Sequence, residues 1–341
     1  MKQRIAVLGA GSWGSALASV LVENGHDVKI WARRDEQAEE INRSHTNEKY
    51  LPGVKLPESL FASSSLAECL KERDIVVFVV PSHTMREVAK KVKPYLPPDA
   101  LVAHATKGFE LDTWKRMSEV LLEELGGSYQ SRLVVLSGPS HAEEVIRKCP
   151  TAVVVASSGL PAAEKVQTLF MNHYFRVYTN PDVVGVEVGG ALKNVIALAS
   201  GLADGLQFGD NAKAALMTRG LAEIARLGSA MGAEPITFAG LAGVGDLFVT
   251  CTSKHSRNFR AGNMLSQGKK LDEVLKEMGM VVEGVKTTRA AHALKKRYNV
   301  EMPINEQLYL VLFENKEPRQ AVKELMERGR TKELEEIVQG W

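Results

Sequence analysis

Residues Gly9-Ala10-Gly11-Ser12-Trp13-Gly14 follow a short apolar run, Arg4–Leu8, and open a segment of helical periodicity, Ser15–Asn24. A GxGxxG placed between a strand and a helix constrains the fold severely, because each glycine has its own steric task. Gly9 permits a tight turn, Gly11 lets backbone approach a pyrophosphate, and Gly14 lets the helix pack on the strand. The helix N-terminus adds unpaired N–H groups and a positive dipole end. The motif predicts a dinucleotide held at Gly9, Gly11 and Gly14 in a Rossmann-type α/β domain. A glycine-rich turn that binds nothing has the same letters, but the strand before, the helix after and a second strand ending at Trp31 speak against it.

The first half of the chain alternates β-branched runs with helix-length segments, the pattern of a parallel sheet with crossover helices. The predicted strands are Arg4–Leu8, Asp27–Trp31, Ile75–Val80, Ala100–Ala105, Arg132–Leu136, Thr151–Ala156 and Phe175–Tyr178. Several are apolar without interruption, as strands covered on both faces are. After Asn180-Pro181-Asp182 the pattern becomes helical, as in Ala212–Gly232, and Asp182 is placed to cap a new helix. The boundary falls near Pro181: residues 1–180 form the dinucleotide-binding domain and 181–341 an all-α substrate-binding domain. The most apolar stretch, Val183–Leu206, is interrupted by Glu187, Lys193, Asn194 and Asp204, so it reads as a core helix and not a membrane span.

Charge narrows the partners. The 341 residues carry 43 Lys+Arg against 41 Asp+Glu, which argues against a nucleic-acid binder. Cys69, Cys149 and Cys251 form no CxxC pair and sit in no zinc-ligand spacing, so neither a disulfide framework nor a metal site is expected. The N-terminal apolar run is too short for a signal peptide. A cytoplasmic, soluble protein is the expectation.

The second strand ends before Arg33-Arg34, where an NAD-selective site usually places an acidic residue about 20 residues beyond the fingerprint. Two guanidinium groups suit a 2′-phosphate and favour NADP, although an exposed basic turn has the same composition. Asp35 is expected to cap the next helix. Lys107, in His104-Ala105-Thr106-Lys107-Gly108, follows a strand on the ligand-binding side of such sheets, yet spacing alone leaves it equally a solvated loop residue. In Gly138-Pro139-Ser140-His141-Ala142-Glu143, Ser140 is expected as a helix N-cap with Glu143 in the capping-box position. His141 reads either as a general acid or as a polar residue of a first helical turn. Lys193 lies inside an apolar helix, where it either snorkels to solvent or has its pKa lowered by burial, which would suit proton exchange at an alcohol or carbonyl oxygen. Ala239–Asp246 and Ser253–Asn258 read as a glycine-rich loop and a polar cluster for an anion.

Taken together, Gly9–Gly14, His104–Gly108, Leu136–Ser140, Gly189-Gly190-Ala191-Leu192-Lys193-Asn194, Gly243-Val244-Gly245-Asp246-Leu247, Ser256-Arg257-Asn258 and Val282-Glu283-Gly284-Val285 resemble, in order and over nearly the whole chain, the bacterial NAD(P)-dependent sn-glycerol-3-phosphate dehydrogenases. The resemblance implies interconversion of dihydroxyacetone phosphate and sn-glycerol 3-phosphate, a glycerophospholipid precursor, and a helical C-terminal domain like that of 6-phosphogluconate dehydrogenase. Carried over by position, it makes Lys193 the catalytic proton donor and acceptor. It places Lys107, Gly138, Ser140, Lys193, Asp246, Ser256, Arg257 and Asn258 at the substrate. Ser12, Trp13, Arg33, Arg34, Tyr50, Lys107, Ala142, Arg257, Val281 and Glu283 join the three fingerprint glycines at the cofactor. NADPH is expected ahead of NADH, with no metal, nucleic acid or integral membrane partner. The apolar stripes of the helical half allow a homodimer, though a buried core uses the same pattern. Rival readings are another 3-hydroxyacid dehydrogenase or ketopantoate reductase, and a non-catalytic NADP-sensing protein.

Overall fold

The computed structural model describes residues 2–330 and 333. The end of the expected second domain, residues 331–332 and 334–341, lies outside the described residues. Eight strands, β1 (Arg4–Leu8), β2 (Asp27–Trp31), β3 (Phe61–Ser63), β4 (Ile75–Phe78), β5 (Leu101–His104), β6 (Leu133–Ser137), β7 (Thr151–Ala156) and β8 (Phe175–Asn180), form one sheet in the order β3-β2-β1-β4-β5-β6-β7-β8. Seven helices accompany them: α1 (Ser12–Glu23), α2 (Asp35–Ser44), α3 (Leu66–Leu70), α4 (Met85–Val92), α5 (Met117–Leu125), α6 (Ala142–Val145) and α7 (Leu160–Phe170).

The strand order reverses direction between β1 and β4, and the fingerprint loop leaves the carboxyl end of β1 at that switch point. Alternation of side chains explains the uninterrupted apolar strands. Ile5, Val7, Ile75 and Val77 enter one core cluster, while Ala6, Leu8, Val76 and Phe78 enter a second.

Three expectations need correction here. The sheet is not wholly parallel, because β6 and β7 pair antiparallel while the other neighbours run parallel. Asp35 is not the cap of α2: it is the first helical residue, Arg34 holds the cap position, and the Asp35 carboxylate accepts a hydrogen bond from Ser64. Ser140 does not cap α6, since His141 holds that position and the Ser140 hydroxyl donates to the Gly138 carbonyl at 2.9 Å.

Contacts divide the chain into two compact units, one of residues 1–106 with 117–183, the other of residues 107–116 with the chain from Val184 onward. The second unit is helical: α8 (Val183–Gly205), α9 (Gly209–Ala230), α10 (Asp246–Thr252), α11 (Arg257–Ser266), α12 (Leu271–Met278), α13 (Glu283–Tyr298), α14 (Pro303–Phe313) and α15 (Pro318–Met326). Long and apolar enough to cross a membrane, α8 is nevertheless mostly buried inside the fold.

Glycine lets the neighbours of α8 come close. A Cβ on Gly189 would stand 2.5 Å from the Ala242 carbonyl oxygen, one on Gly262 2.0 Å from that of Leu198, and one on Gly284 2.5 Å from that of Asn194. The stretch Leu241–Gly245, expected as an anion-binding loop, is a π-helical turn leading into α10. Its Gly243 is demanded by packing, since a Cβ there would meet the Phe238 carbonyl oxygen at 1.9 Å.

Candidate active site

In the α/β unit the fingerprint glycines divide by purpose. Gly9 has φ +120° and lies against β4's exit, where a Cβ would meet the Val79 carbonyl oxygen at 2.5 Å. On Gly14 a Cβ would meet the Gly9 carbonyl oxygen at 1.8 Å. Gly11 has nothing within 4 Å of its Cβ position, so no protein packing accounts for a glycine there. Open space before the N-terminus of a twelve-residue helix fits a pyrophosphate that needs close backbone approach.

Two residues that the sequence reading did not single out hold this loop. The Ala10 carbonyl accepts from Gln37 Nε2 at 2.5 Å and Asn47 Nδ2 at 3.0 Å, and Asn47 also donates to Ser15 Oγ at 2.9 Å. All three side chains are buried. The Ser12 hydroxyl donates to the Tyr50 carbonyl at 2.8 Å, so Tyr50 stands beside the fingerprint. The indole nitrogen of Trp13 is buried without a hydrogen-bond partner among the described residues. Arg33 and Arg34 are exposed between β2 and α2. Gly138 has φ +117°, a Cβ on it would stand 3.1 Å from the Val153 Cα, and Ala142 begins α6.

The helical unit holds a denser cluster. Asp246, the first residue of α10, is fully buried and uses both carboxylate oxygens on cations. Lys193 Nζ lies 2.5 Å from Oδ1, and Lys107 Nζ lies 2.7 Å from Oδ2. Lys193 also donates to Thr250 Oγ1 at 2.6 Å, while that hydroxyl donates to the Asp246 carbonyl at 2.6 Å. Thr250 was not anticipated, although its place one turn after Asp246 on the same helix face was a usable signal.

Burial pulls the Lys193 ammonium below its ordinary value, to about 8. The neighbouring Asp246 charge works against that shift, and the Lys107 charge works with it. The result is a buried amine that exchanges its proton near neutral pH, next to a second cation. A carbonyl oxygen placed among them would find both a proton and positive charge.

Asn258 ties this cluster to its surroundings. Its Nδ2 donates to Asn194 Oδ1 at 2.8 Å, and its Oδ1 accepts from the Gly284 N–H at 2.8 Å, so one Nδ2 hydrogen is left for a ligand. Ser256 caps α11, its hydroxyl oxygen accepting from Phe259 N at 3.2 Å. Arg257, the first residue of α11, is exposed. Glu283 begins α13 and Val281 lies two residues ahead of it. Among the described residues no group of His, Cys, Asp and Glu is arranged to hold a metal ion. The three cysteines are free thiols.

Comparison with known proteins adds a second line of observation. The family model described as the NAD-dependent glycerol-3-phosphate dehydrogenase N-terminus matches residues 4–163, and that for the C-terminus matches residues 182–323. A protein of Lysinibacillus sphaericus (strain C3-41) named glycerol-3-phosphate dehydrogenase (NAD(P)+) is 59% identical over 335 residues, covering 98% of this chain and 99% of its own. The crystal structure of glycerol-3-phosphate dehydrogenase from Coxiella burnetii superposes with a TM-score of 0.91 at 40% identity, covering 96% of this chain and 99% of that one. A ketopantoate reductase from Ralstonia eutropha JMP134 covers 96% of this chain and 100% of its own with a TM-score of 0.57 at 16% identity, a likeness of fold alone.

Proposed function

Because the chain belongs to the NAD-dependent glycerol-3-phosphate dehydrogenase family, we propose that it interconverts dihydroxyacetone phosphate and sn-glycerol 3-phosphate with NAD(P) and that Lys193 moves the proton. The cluster in which Asp246 bridges Lys107 and Lys193 carries this reading. When bound, the dinucleotide supplies or accepts the hydride at substrate C2. In carbonyl reduction Lys193 gives its proton to the C2 oxygen, and in alcohol oxidation it takes the hydroxyl proton. Lys107 stabilises the negative charge that develops on that oxygen, and Asp246 holds both ammonium groups in place.

The substrate phosphate is a remote dianionic handle, and its binding energy can position the reacting carbonyl. Arg257, with the free Nδ2 hydrogen of Asn258 and the Ser256 hydroxyl, is assigned to it, and Gly138 and Ser140 are further substrate contacts. The cofactor is held by Gly9, Gly11, Ser12, Trp13 and Gly14 at the pyrophosphate. Arg33 and Arg34 meet the adenosine end, and Tyr50, Lys107, Ala142, Arg257, Val281 and Glu283 complete the set. What supports this is the open Cβ position at Gly11, the exposed guanidinium pair and the unpartnered Trp13 nitrogen. NADPH is preferred to NADH. The enzyme is cytoplasmic and serves the synthesis of a glycerophospholipid precursor.

A spectrophotometric assay decides the substrate class. NADPH should be oxidised on addition of dihydroxyacetone phosphate and not on addition of ketopantoate, and the reverse pattern would overturn the assignment.

A further inference from the structure

Residues 107–116 form a closed strap within the helical unit. Phe109 and Arg116 pair as an antiparallel bridge, Glu110 N donates to the Lys115 carbonyl at 3.0 Å, and Trp114 N donates to the Glu110 carbonyl at 3.0 Å. The strap carries Lys107 at its start, and its attachments include three side-chain contacts. Lys107 reaches Asp246, Phe109 is buried in one apolar cluster with Val188 and Leu192 of α8, and Arg116 Nη1 lies 2.7 Å from Glu187 Oε2.

The third attachment is unusual in its surroundings. The Arg116 and Glu187 side chains are only 15% and 5% exposed. Buried ion pairs commonly add little net stability, because desolvation offsets the Coulomb attraction, and apolar replacements are often tolerated. Packing alone therefore does not explain why this helix keeps a carboxylate at Glu187. Position does: Glu187 and Lys193 share α8, six residues or about 9 Å apart along the axis.

We propose that the Arg116–Glu187 pair is a positioning clamp for the reaction, pinning the strap that presents Lys107 to the same helix that presents Lys193. The clamp rests on the catalytic reading above and deepens it. Lys107 reaches Asp246 only through a long flexible side chain, so the strap's own placement decides whether its charge stays beside Lys193. The charged or titratable groups that act most on Lys193 include Asp246 and Cys251 of α10 and Lys107 of the strap. Of these, Lys107 alone depends on the clamp.

The test is Glu187→Gln, which keeps the volume and removes the charge. kcat for dihydroxyacetone phosphate reduction should fall roughly tenfold, with KM changed far less, as small misplacements of a positioned group do. The alkaline limb of the carbonyl-reduction profile should also move to higher pH, because withdrawal of Lys107 lets Lys193 hold its proton longer. The charge-swapped double variant, Arg116→Glu with Glu187→Arg, should recover part of both effects. Unchanged kcat and an unchanged limb in Glu187→Gln would overturn the clamp, whatever happens to the thermal midpoint. Should that variant not fold, Arg116→Lys supplies the same two readouts, with changes in the same direction expected and none overturning the proposal. Failure of the catalytic reading is seen separately, as a Lys193→Met enzyme that keeps both its turnover and its alkaline limb.

Discussion

Single residues in this protein owe their chemistry to what surrounds them. An exposed lysine is protonated throughout the physiological range, whereas Lys193 is brought toward neutrality by burial and kept charged in part by Asp246. The sign for stability follows from the same shift. Below about pH 8 both folded and unfolded forms hold the proton and the full cost of burying it is present, and that cost is relieved as pH rises from about 8 toward the ordinary lysine value of 10.5. Arg33 and Arg34 make the opposite case, exposed and legible from the sequence because two guanidinium groups stand where an acidic residue marks NAD. Reversing both charges, Arg33→Glu with Arg34→Glu, should lower kcat/KM for NADPH by about a hundredfold or more, the order of two lost charge-assisted contacts, and leave the NADH value far less affected. An unchanged NADPH to NADH ratio would remove them from the cofactor site. Gln37 and Asn47 are not legible, because an amide on a helix or loop says nothing in sequence about the partner that the fold brings to it, whereas Thr250 is marked only by its place one turn after Asp246.

Elements are legible in the sequence where periodicity is long and obscure where it is short. The positions of β1, β2 and β7 follow from apolar runs bounded by turn residues, and α8 follows from its length. β3 has three residues and no alternation to detect, and the antiparallel pairing of β7 depends on how the chain returns after α6, not on the composition of the strand. The glycines of 240–245 were misread as ligand-facing for a related reason: the letter records a missing side chain, and only the fold tells whether protein or ligand uses the space. At Gly189 protein uses it. Gly189→Ala should push α8 away from Ala242, destabilise the protein by about 1–3 kcal/mol as overpacking does, and reduce turnover by separating Lys193 from Asp246. Wild-type stability and turnover in that variant would show that close approach there is not needed. Gly11→Ala, by contrast, should leave the fold unchanged, since its Cβ position is open.

For the molecule as a whole, the nearly even balance of 43 basic and 41 acidic residues excludes a bulk polyanion, yet it coexists with local positive charge at Arg33-Arg34, Arg257, Lys107 and Lys193. Anion binding here is a matter of placement. The α/β unit supplies a glycine cradle with an unoccluded face, and the helical unit supplies two lysines forked on one buried carboxylate. A chain that kept the cradle without chemistry would have no reason to keep a buried lysine with a depressed pKa. The most direct test is the pH dependence of kcat for NADPH-driven reduction of dihydroxyacetone phosphate, in the wild type and in Lys193→Met. The wild-type rate should fall as pH rises through about 8, where Lys193 loses the proton it must donate. In the variant, kcat at neutral pH should drop by roughly two to four powers of ten and that limb should vanish. A variant with near-normal turnover and the same alkaline limb would contradict the assignment of Lys193 as the proton donor.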